Sequence, residues 1–435
     1  MTALSIAVRG DIAALDARSR TMLFDRTSAS DPAVRERTGR IIERVRAEGD
    51  AALFAFAREF DRVSLTSIEV PRAEWLAALD ALDPGLRRVL ERSAENIRRV
   101  HQAFRPVASE VVTADGAVIG RRPDPLGRVG VYAPGGRAAY PSSLLMGVIP
   151  ARVAGVGEVV VCSPPGPDGR PSPIVMAAAA LAGVDRLFAV GGAGAVAAMA
   201  YGTATIPAVD RIVGPGNAYV AEAKAQVSSV TAIDSPAGPS ELLVIADASA
   251  SPDVVTRELL AQAEHDPMAA VVLVSTSEAL LGAVAQRLTE WAPREPRAAV
   301  IAAALSARGA LLLATSLEEA AAFSNQWGPE HLLIATDDAE ALLPLVRNAG
   351  TIFLGQTASV AFGDYMSGAN HVLPTGGLSR AYSGLSTIDF YRWTTWQRID
   401  RTTAARLARD VGTFADAEGL PGHAASARQW LEDAR

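Results

Sequence analysis

The chain has a single cysteine, Cys162, among 435 residues, so no intrachain disulfide is possible. Its place in the apolar run Val159–Cys162 reads as a small buried hydrophobe on a strand. No window holds about 18 uninterrupted apolar residues, which excludes a spanning helix. Met1 to Arg20 carries early acidic residues and no long apolar centre, so no secretory signal is expected there and a cytoplasmic location fits. A surplus of positive charge is also missing. With 41 Lys and Arg against 48 Asp and Glu the net charge is -7, and nucleic acid is not an expected partner, because its binders present a basic face. Arg87 to Arg99 and Arg121-Arg122 are basic clusters, but acidic neighbours and helical spacing give them the pattern of solvated faces.

What is present is the material of a large core. The composition is 49% hydrophobic and 20% charged, ordinary for a globular protein. The length exceeds what one core supports, so two or more lobes are expected. From Asp31 to about Phe104 apolar residues recur at helical spacing, with start signals at Asp31-Pro32 and Asp83-Pro84. Val111 to Tyr132 changes to short β-type runs broken at Asp115-Gly116 and Pro123 to Gly127, suggesting a hairpin and a connection.

Between Leu144 and Leu354 short β-rich runs alternate with Ala-rich helical stretches; the candidate strands are Glu158–Cys162, Arg186–Val190, Ala270–Ser275, Ala310–Leu313 and Thr351–Leu354. That alternation predicts an α/β fold with parallel-rich sheets. Turn-rich breaks at Ala133 to Gly136 and Ser235 to Pro239 bracket an inserted domain. The expected organisation is an N-terminal arm (1–25), a larger α/β lobe (26–131 with 238–382), an inserted α/β lobe (132–237) and a C-terminal tail (383–435). The tail, aromatic at first and then helical, could dock on its own chain or cross to a partner subunit.

Three glycine turns stand out: Tyr132 to Gly136, Val190 to Gly194, and Gly214-Pro215-Gly216-Asn217. The second follows a strand and opens a helix, where backbone N–H groups can hold a phosphate. None is G-x-G-x-x-G, and tight turns also use glycine for steric reasons alone.

Of five histidines, four lie in polar settings outside the helical region: His265, His331, His371 and His423. Gln262 and His265, three apart near a helix end that Asp266-Pro267 closes, can offer an amide oxygen and an imidazole to one ion, or form an exposed polar end. In Trp327-Gly328-Pro329-Glu330-His331 a rigid turn sets an acid beside an imidazole at the start of an apolar run, so that one can orient water while the other moves a proton, or both are simply solvated. Gly363-Asp364-Tyr365 and Ser367 to His371 are placed in a loop after the strand Thr351–Leu354, at a carboxyl end of the sheet, where α/β enzymes carry their sites. Glu418 and His423 lie on the terminal segment.

These residues, with Tyr140-Pro141-Ser142-Ser143, Gly214 to Asn217, Ala237 to Glu241, Gln262 to Pro267, Gly328 to Leu332, Asn370 to Thr375 and Glu418 to Pro421, resemble the histidinol dehydrogenases over nearly the full length of the chain. The resemblance implies two Rossmann-like lobes and a four-electron, NAD-linked oxidation of histidinol to histidine through the aldehyde. It implies one zinc ion per subunit on Gln262, His265, Asp364 and His423, mixed N and O donors that suit such a metal. The substrate is implied to meet those four residues together with Ser240, Glu330, His331, His371 and Glu418. His331 is implied as the base for the alcohol proton and Glu330 as the group activating water. NAD is implied at Tyr132, position 194 and Asn217, and a homodimer in which the tail completes the neighbour's site. Two positions depart from the pattern. Gly194 stands where the family has a glutamine, removing a hydrogen bond of about 1 kcal/mol, and Trp393 stands where a second basic residue is more usual. Together they leave room for a relative that oxidises another small polar alcohol, and Gly194 also for a non-catalytic metal or metabolite binding protein.

Overall fold

The computed structural model describes residues 4–26, 32–135 and 139–434; Asp31 of the first helix signal and Gly136 of the first glycine turn lie outside them. Contacts divide the chain into a large unit, Met1–Phe104 with Gly127–Phe390, and a small one, Arg105–Leu126 with Tyr391–Arg435.

The large unit holds two six-stranded sheets. In the first, the order is Val8–Asp11, Gly309–Leu313, Ala270–Ser275, Glu241–Ala246, His331–Ala335, Thr351–Leu354, every pair parallel. Its four inner strands are largely apolar and buried on both faces, as a sheet covered on both sides requires, while the edge strand Val8–Asp11 buries only Val8. Leu242, Val244 and Ala246 pack with Val271, Leu273 and Leu333 on one face, while Leu243 and Ile245 pack with Val272, Val274 and Ile334 on the other. The second sheet runs Glu69–Val70, Arg186–Ala189, Glu158–Ser163, Arg128–Tyr132, Arg211–Val213, Ala232–Ile233, all parallel except the antiparallel first strand. Phe188, Tyr132 and Met199 lie in its core. The predicted α/β class and parallel-rich sheets are as expected, and Cys162 is fully buried on its strand.

Apart from the edge strands Val8–Asp11 and Glu69–Val70, which come first in the chain, each sheet starts at an inner strand, steps outward on one side and returns to the other side of that strand, so each has a switch point. In the first it falls between Glu241–Ala246 and His331–Ala335, in the second between Arg128–Tyr132 and Arg211–Val213.

Helices Pro32–Glu48, Asp50–Phe56, Arg72–Asp80 and Pro84–Ala103 form the N-terminal helical region. The last begins as its sequence signal predicts: Pro84 fills the first turn and the Asp83 carboxylate accepts the Leu86 N–H at 2.9 Å. In the small unit, Ser109–Val112 and Val118–Pro125 form the expected hairpin. Tyr391–Arg398, read in the sequence only as an aromatic stretch, is a third strand antiparallel to Val118–Pro125, followed by helices Arg401–Ala417 and Pro421–Arg428.

Candidate active site

Glu330 and His331 sit at the amino end of the strand His331–Ala335, beside Glu241, which opens the neighbouring strand. Gly350 N–H donates to the Pro329 carbonyl at 2.9 Å and Thr351 N–H to the Glu330 carbonyl at 3.0 Å, which fixes the backbone of the pair. The His331 Nδ1 lies 2.9 Å from the Glu241 carbonyl. A carbonyl only accepts, so Nδ1 carries the proton and Nε2 holds the lone pair. That Nε2 is buried without a hydrogen-bond partner and lies 3.8 Å from Asp364 Oδ1. Burial pushes His331 down to about 4, so the imidazole is neutral at pH 7. The Glu330 carboxylate accepts the Glu241 N–H at 2.7 Å, yet burial, with the Glu241 and Asp364 charges, pushes it well above the usual carboxylate range.

Asp364 comes from the short helix Val360–Tyr365 rather than from a loop. That helix begins on Glu258, whose carboxylate accepts the Val360 N–H at 3.1 Å, and burial with the Glu258 charge raises Asp364 to about 6. Glu258 lies one turn before Gln262 on the helix Pro252–Ala263. The helix ends at Ala263, earlier than expected, and the His265 N–H meets the Gln262 carbonyl at 3.3 Å. Gln262 is buried, with its amide nitrogen unpartnered. His265 lies in the turn beyond and is close enough that its charge acts on both His331 and His371. It also lines a cavity of about 410 Å³ with Tyr140, Ser142, Glu264, Arg297 and Tyr365.

His371 donates from Nδ1 to the Asp364 carbonyl at 3.0 Å, which leaves Nε2 to accept from the Ser143 hydroxyl at 3.3 Å. Next to it, Asn370 donates to the Met146 carbonyl at 2.8 Å. Ser143 and Met146 belong to the helix Pro141–Ala154, which follows the carboxyl end of the strand Arg128–Tyr132. The amino edge of the first sheet thus abuts the carboxyl edge of the second. The expected location of the Asp364 and His371 cluster at a carboxyl end of its own sheet is therefore corrected: the chain has already turned back across the sheet by Asp364. Ser240 adjoins this group, preceding Glu241, with its carbonyl accepting the Ala270 N–H at 3.1 Å.

The carboxyl edge of the second sheet carries the glycine turns. The Tyr132 hydroxyl accepts the Gly192 N–H at 3.1 Å, where the helix Gly192–Tyr201 starts. Gly214, at φ +113, lets the chain pass so close to Tyr132 that a Cβ there would lie 2.2 Å from the Tyr132 carbonyl oxygen. Its N–H donates to Asp234 at 2.8 Å, and its carbonyl accepts from Lys224 at 3.0 Å, with Lys224 and Asp234 forming a buried ion pair. Asn217 caps the helix Ala218–Val227 through the Tyr219 and Val220 N–H groups. A Cβ on Gly194 would face Phe56 and Leu53 at 3.2 and 3.5 Å, in the apolar core.

The structure thus brings Glu330, His331, Asp364 and His371 into one cluster with His265 and Gln262 at its border, and gathers Tyr132, Gly194 and Asn217 at the adjoining edge. Glu418 and His423 belong to the small unit, just after the helix Arg401–Ala417 and on Pro421–Arg428. Among the described residues no group of three or more His, Cys, Asp or Glu converges as a metal cage. Sequence reasoning gave no role to Arg26, Ser143, Glu241 or Glu258. A charged residue, Glu241, directly ahead of the apolar run Leu242–Ala246 was the one local signal available.

The sequence profile of the histidinol dehydrogenases matches residues 24–431. Relatives named histidinol dehydrogenase include that of Bordetella parapertussis, 45% identical over 96% of this chain and 94% of that one, and that of Halobacterium salinarum, 48% identical over 95% and 97%. The solved histidinol dehydrogenase of Elizabethkingia anophelis superposes with a TM-score of 0.93 at 33% identity, covering 98% of both chains. With a profile and relatives that span almost every residue, this chain belongs to the histidinol dehydrogenase family.

Proposed function

We infer that this protein oxidises histidinol to histidine in two NAD-linked steps: the alcohol loses a hydride to NAD and a proton to the protein, and the hydrated aldehyde then loses a second hydride and becomes the carboxylate. The observation that carries the reading is the Ser143–His371 contact, which joins an acid–base cluster on one sheet to the cofactor-type edge of the other. A dinucleotide held at the second sheet's switch point would face a substrate held by the first.

His331 suits the first proton transfer, since its Nδ1–H is committed to the Glu241 carbonyl and its free Nε2 points into the cluster. Glu330 suits the second. With one oxygen anchored on the Glu241 N–H, its other oxygen can take a proton from the water that adds to the aldehyde, and its raised affinity for protons strengthens it as a base. Burial of both groups keeps the aldehyde from bulk water between steps. Tyr132, the backbone at Gly194 and Asn217 would receive NAD; Ser240, His371 and Glu418 would contact the substrate.

The donor set suits zinc: Gln262, which is buried, can offer its amide oxygen, His265 an imidazole nitrogen and Asp364 a carboxylate, with His423 as the fourth ligand, a borderline N and O set. When bound, the ion would hold the substrate's imidazole and amino nitrogens and so place the alcohol carbon. The reading includes a homodimer in which Glu418 and His423 complete the partner's site; an active monomer in sedimentation rules that part out.

The test is NADH counted per L-histidinol consumed by zinc-loaded protein. Two NADH and histidine as product support the reading. No turnover with histidinol, but turnover with another amino alcohol, moves the assignment to a different substrate.

A further inference from the structure

Glu241 does more than open a strand. Its N–H donates to Glu330 at 2.7 Å and its carbonyl accepts from His331 Nδ1 at 2.9 Å, so the peptide groups of one residue hold both acid–base groups. Its side chain is held in turn. Oε1 accepts the Gly376 N–H at 2.9 Å, and Oε2 lies 2.6 Å from Arg26 Nη1, with both side chains 3% exposed. Arg26 is itself fixed. Its guanidinium lies 3.5 Å over the Trp327 ring and donates to the Trp327 carbonyl, while the Trp327 indole donates to the Leu23 carbonyl at 2.9 Å. Trp327 ends the helix Leu317–Trp327, three residues before Glu330. One cation from the N-terminal segment therefore ties the start of one strand to the helix end from which the chain turns into the other.

We propose that Arg26 and Glu241 are positioning residues for this reaction: the buried pair sets the backbone at 241 and 327, and through it the orientation of Glu330 and of the His331 ring. A buried ion pair is weak evidence of stabilisation, because desolvation offsets most of its attraction. Register is the better-supported use, and here it is visible in the two main-chain bonds. The inference rests on the oxidative reading above, and the experiment separates the two.

Three variants are compared with the parent: Arg26→Met, Arg26→Lys and the double Arg26→Met, Glu241→Met. Arg26→Met is expected to lower kcat about 100-fold for both histidinol and histidinal, the effect of misplacing reacting groups by an ångström. KM for either substrate and for NAD should stay within about threefold, since the binding groups are untouched. The single variant leaves a buried carboxylate unpaired and loses Tm; the double variant replaces the pair with apolar groups and recovers Tm, but kcat stays low. Arg26→Lys keeps charge without the planar fork and gives an intermediate kcat. A double variant that recovers kcat along with Tm makes the pair merely structural and overturns the proposal, as does a fall in only one of the two oxidations. Absence of histidinol turnover in the parent protein refutes the functional reading instead.

Discussion

Gly214→Ala is the sharpest test of the cofactor edge. Two effects add. At φ +113 an L side chain is strained by about 1–3 kcal/mol. The new Cβ, 2.2 Å from the Tyr132 carbonyl oxygen and 3.2 Å from its nitrogen, meets main chain that cannot swing aside, so the strands Arg128–Tyr132 and Arg211–Val213 must separate, an overpacking penalty of about 1–3 kcal/mol. The expected loss is therefore about 2–6 kcal/mol, a large share of a typical 5–15 kcal/mol. The same shift pulls on the Lys224 and Asp234 contacts and carries Asn217 away from Tyr132. Urea unfolding gives the first number and the KM for NAD the second, which should rise while zinc content is unchanged. Gly355→Ala is the control: φ is +83 but no atom lies within 4 Å of its Cβ, so strain alone applies, about 1–2 kcal/mol. If Gly214→Ala is no more destabilised than Gly355→Ala and binds NAD normally, the steric reasoning is wrong.

Three further outcomes are expected. His101 is buried and held down to about 4, whereas the unfolded chain takes up a proton near 6.5; its contribution to stability is complete above that pH and is lost as pH falls towards 4, up to roughly 3 kcal/mol. Unfolding measured at pH 7 and pH 5 should show a smaller drop in His101→Gln, and an identical drop refutes the assignment. Gly194→Gln should not lower the KM for NAD, because the Cβ direction at 194 leads into Phe56 and Leu53; a tighter KM would mean that the family glutamine fits this chain after all. On the zinc reading proposed above, a chelator should abolish turnover while cooperative unfolding persists, since the cores of both sheets are apolar and built without the proposed ligands; collapse of the far-UV signal would contradict that.

Much of the architecture was legible because buried parallel strands read as short apolar runs with turn residues at their ends. Ala270–Ser275 and Thr351–Leu354 appear in the structure at the boundaries drawn from sequence. Tyr391–Arg398 was not legible, since Arg392, Gln397 and Arg398 interrupt the apolar pattern and only its partner strand makes it regular. The site was readable as types and motifs: Glu330-His331, Asp364 and His371 do converge. Which end of the sheet they occupy depends on strand order and on how far the chain turns back, and neither is written locally. Arg26 and Glu258 were invisible for a related reason, as each matters only through a carboxylate or backbone group far away in the chain.

The amino-edge position of the acid–base cluster also bears on what the scaffold can tolerate. Connections leaving the carboxyl ends of the first sheet, at 247–251, 276–277, 314–316 and 336–338, carry none of the proposed chemistry. Insertions and fusions succeed where such connections are exposed, as at Ser249, Thr315, Asp337 and Asp338. Lineages of this fold, and engineers, are thus free to lengthen that rim or graft a reporter onto it, whereas the opposite rim must be inherited nearly intact.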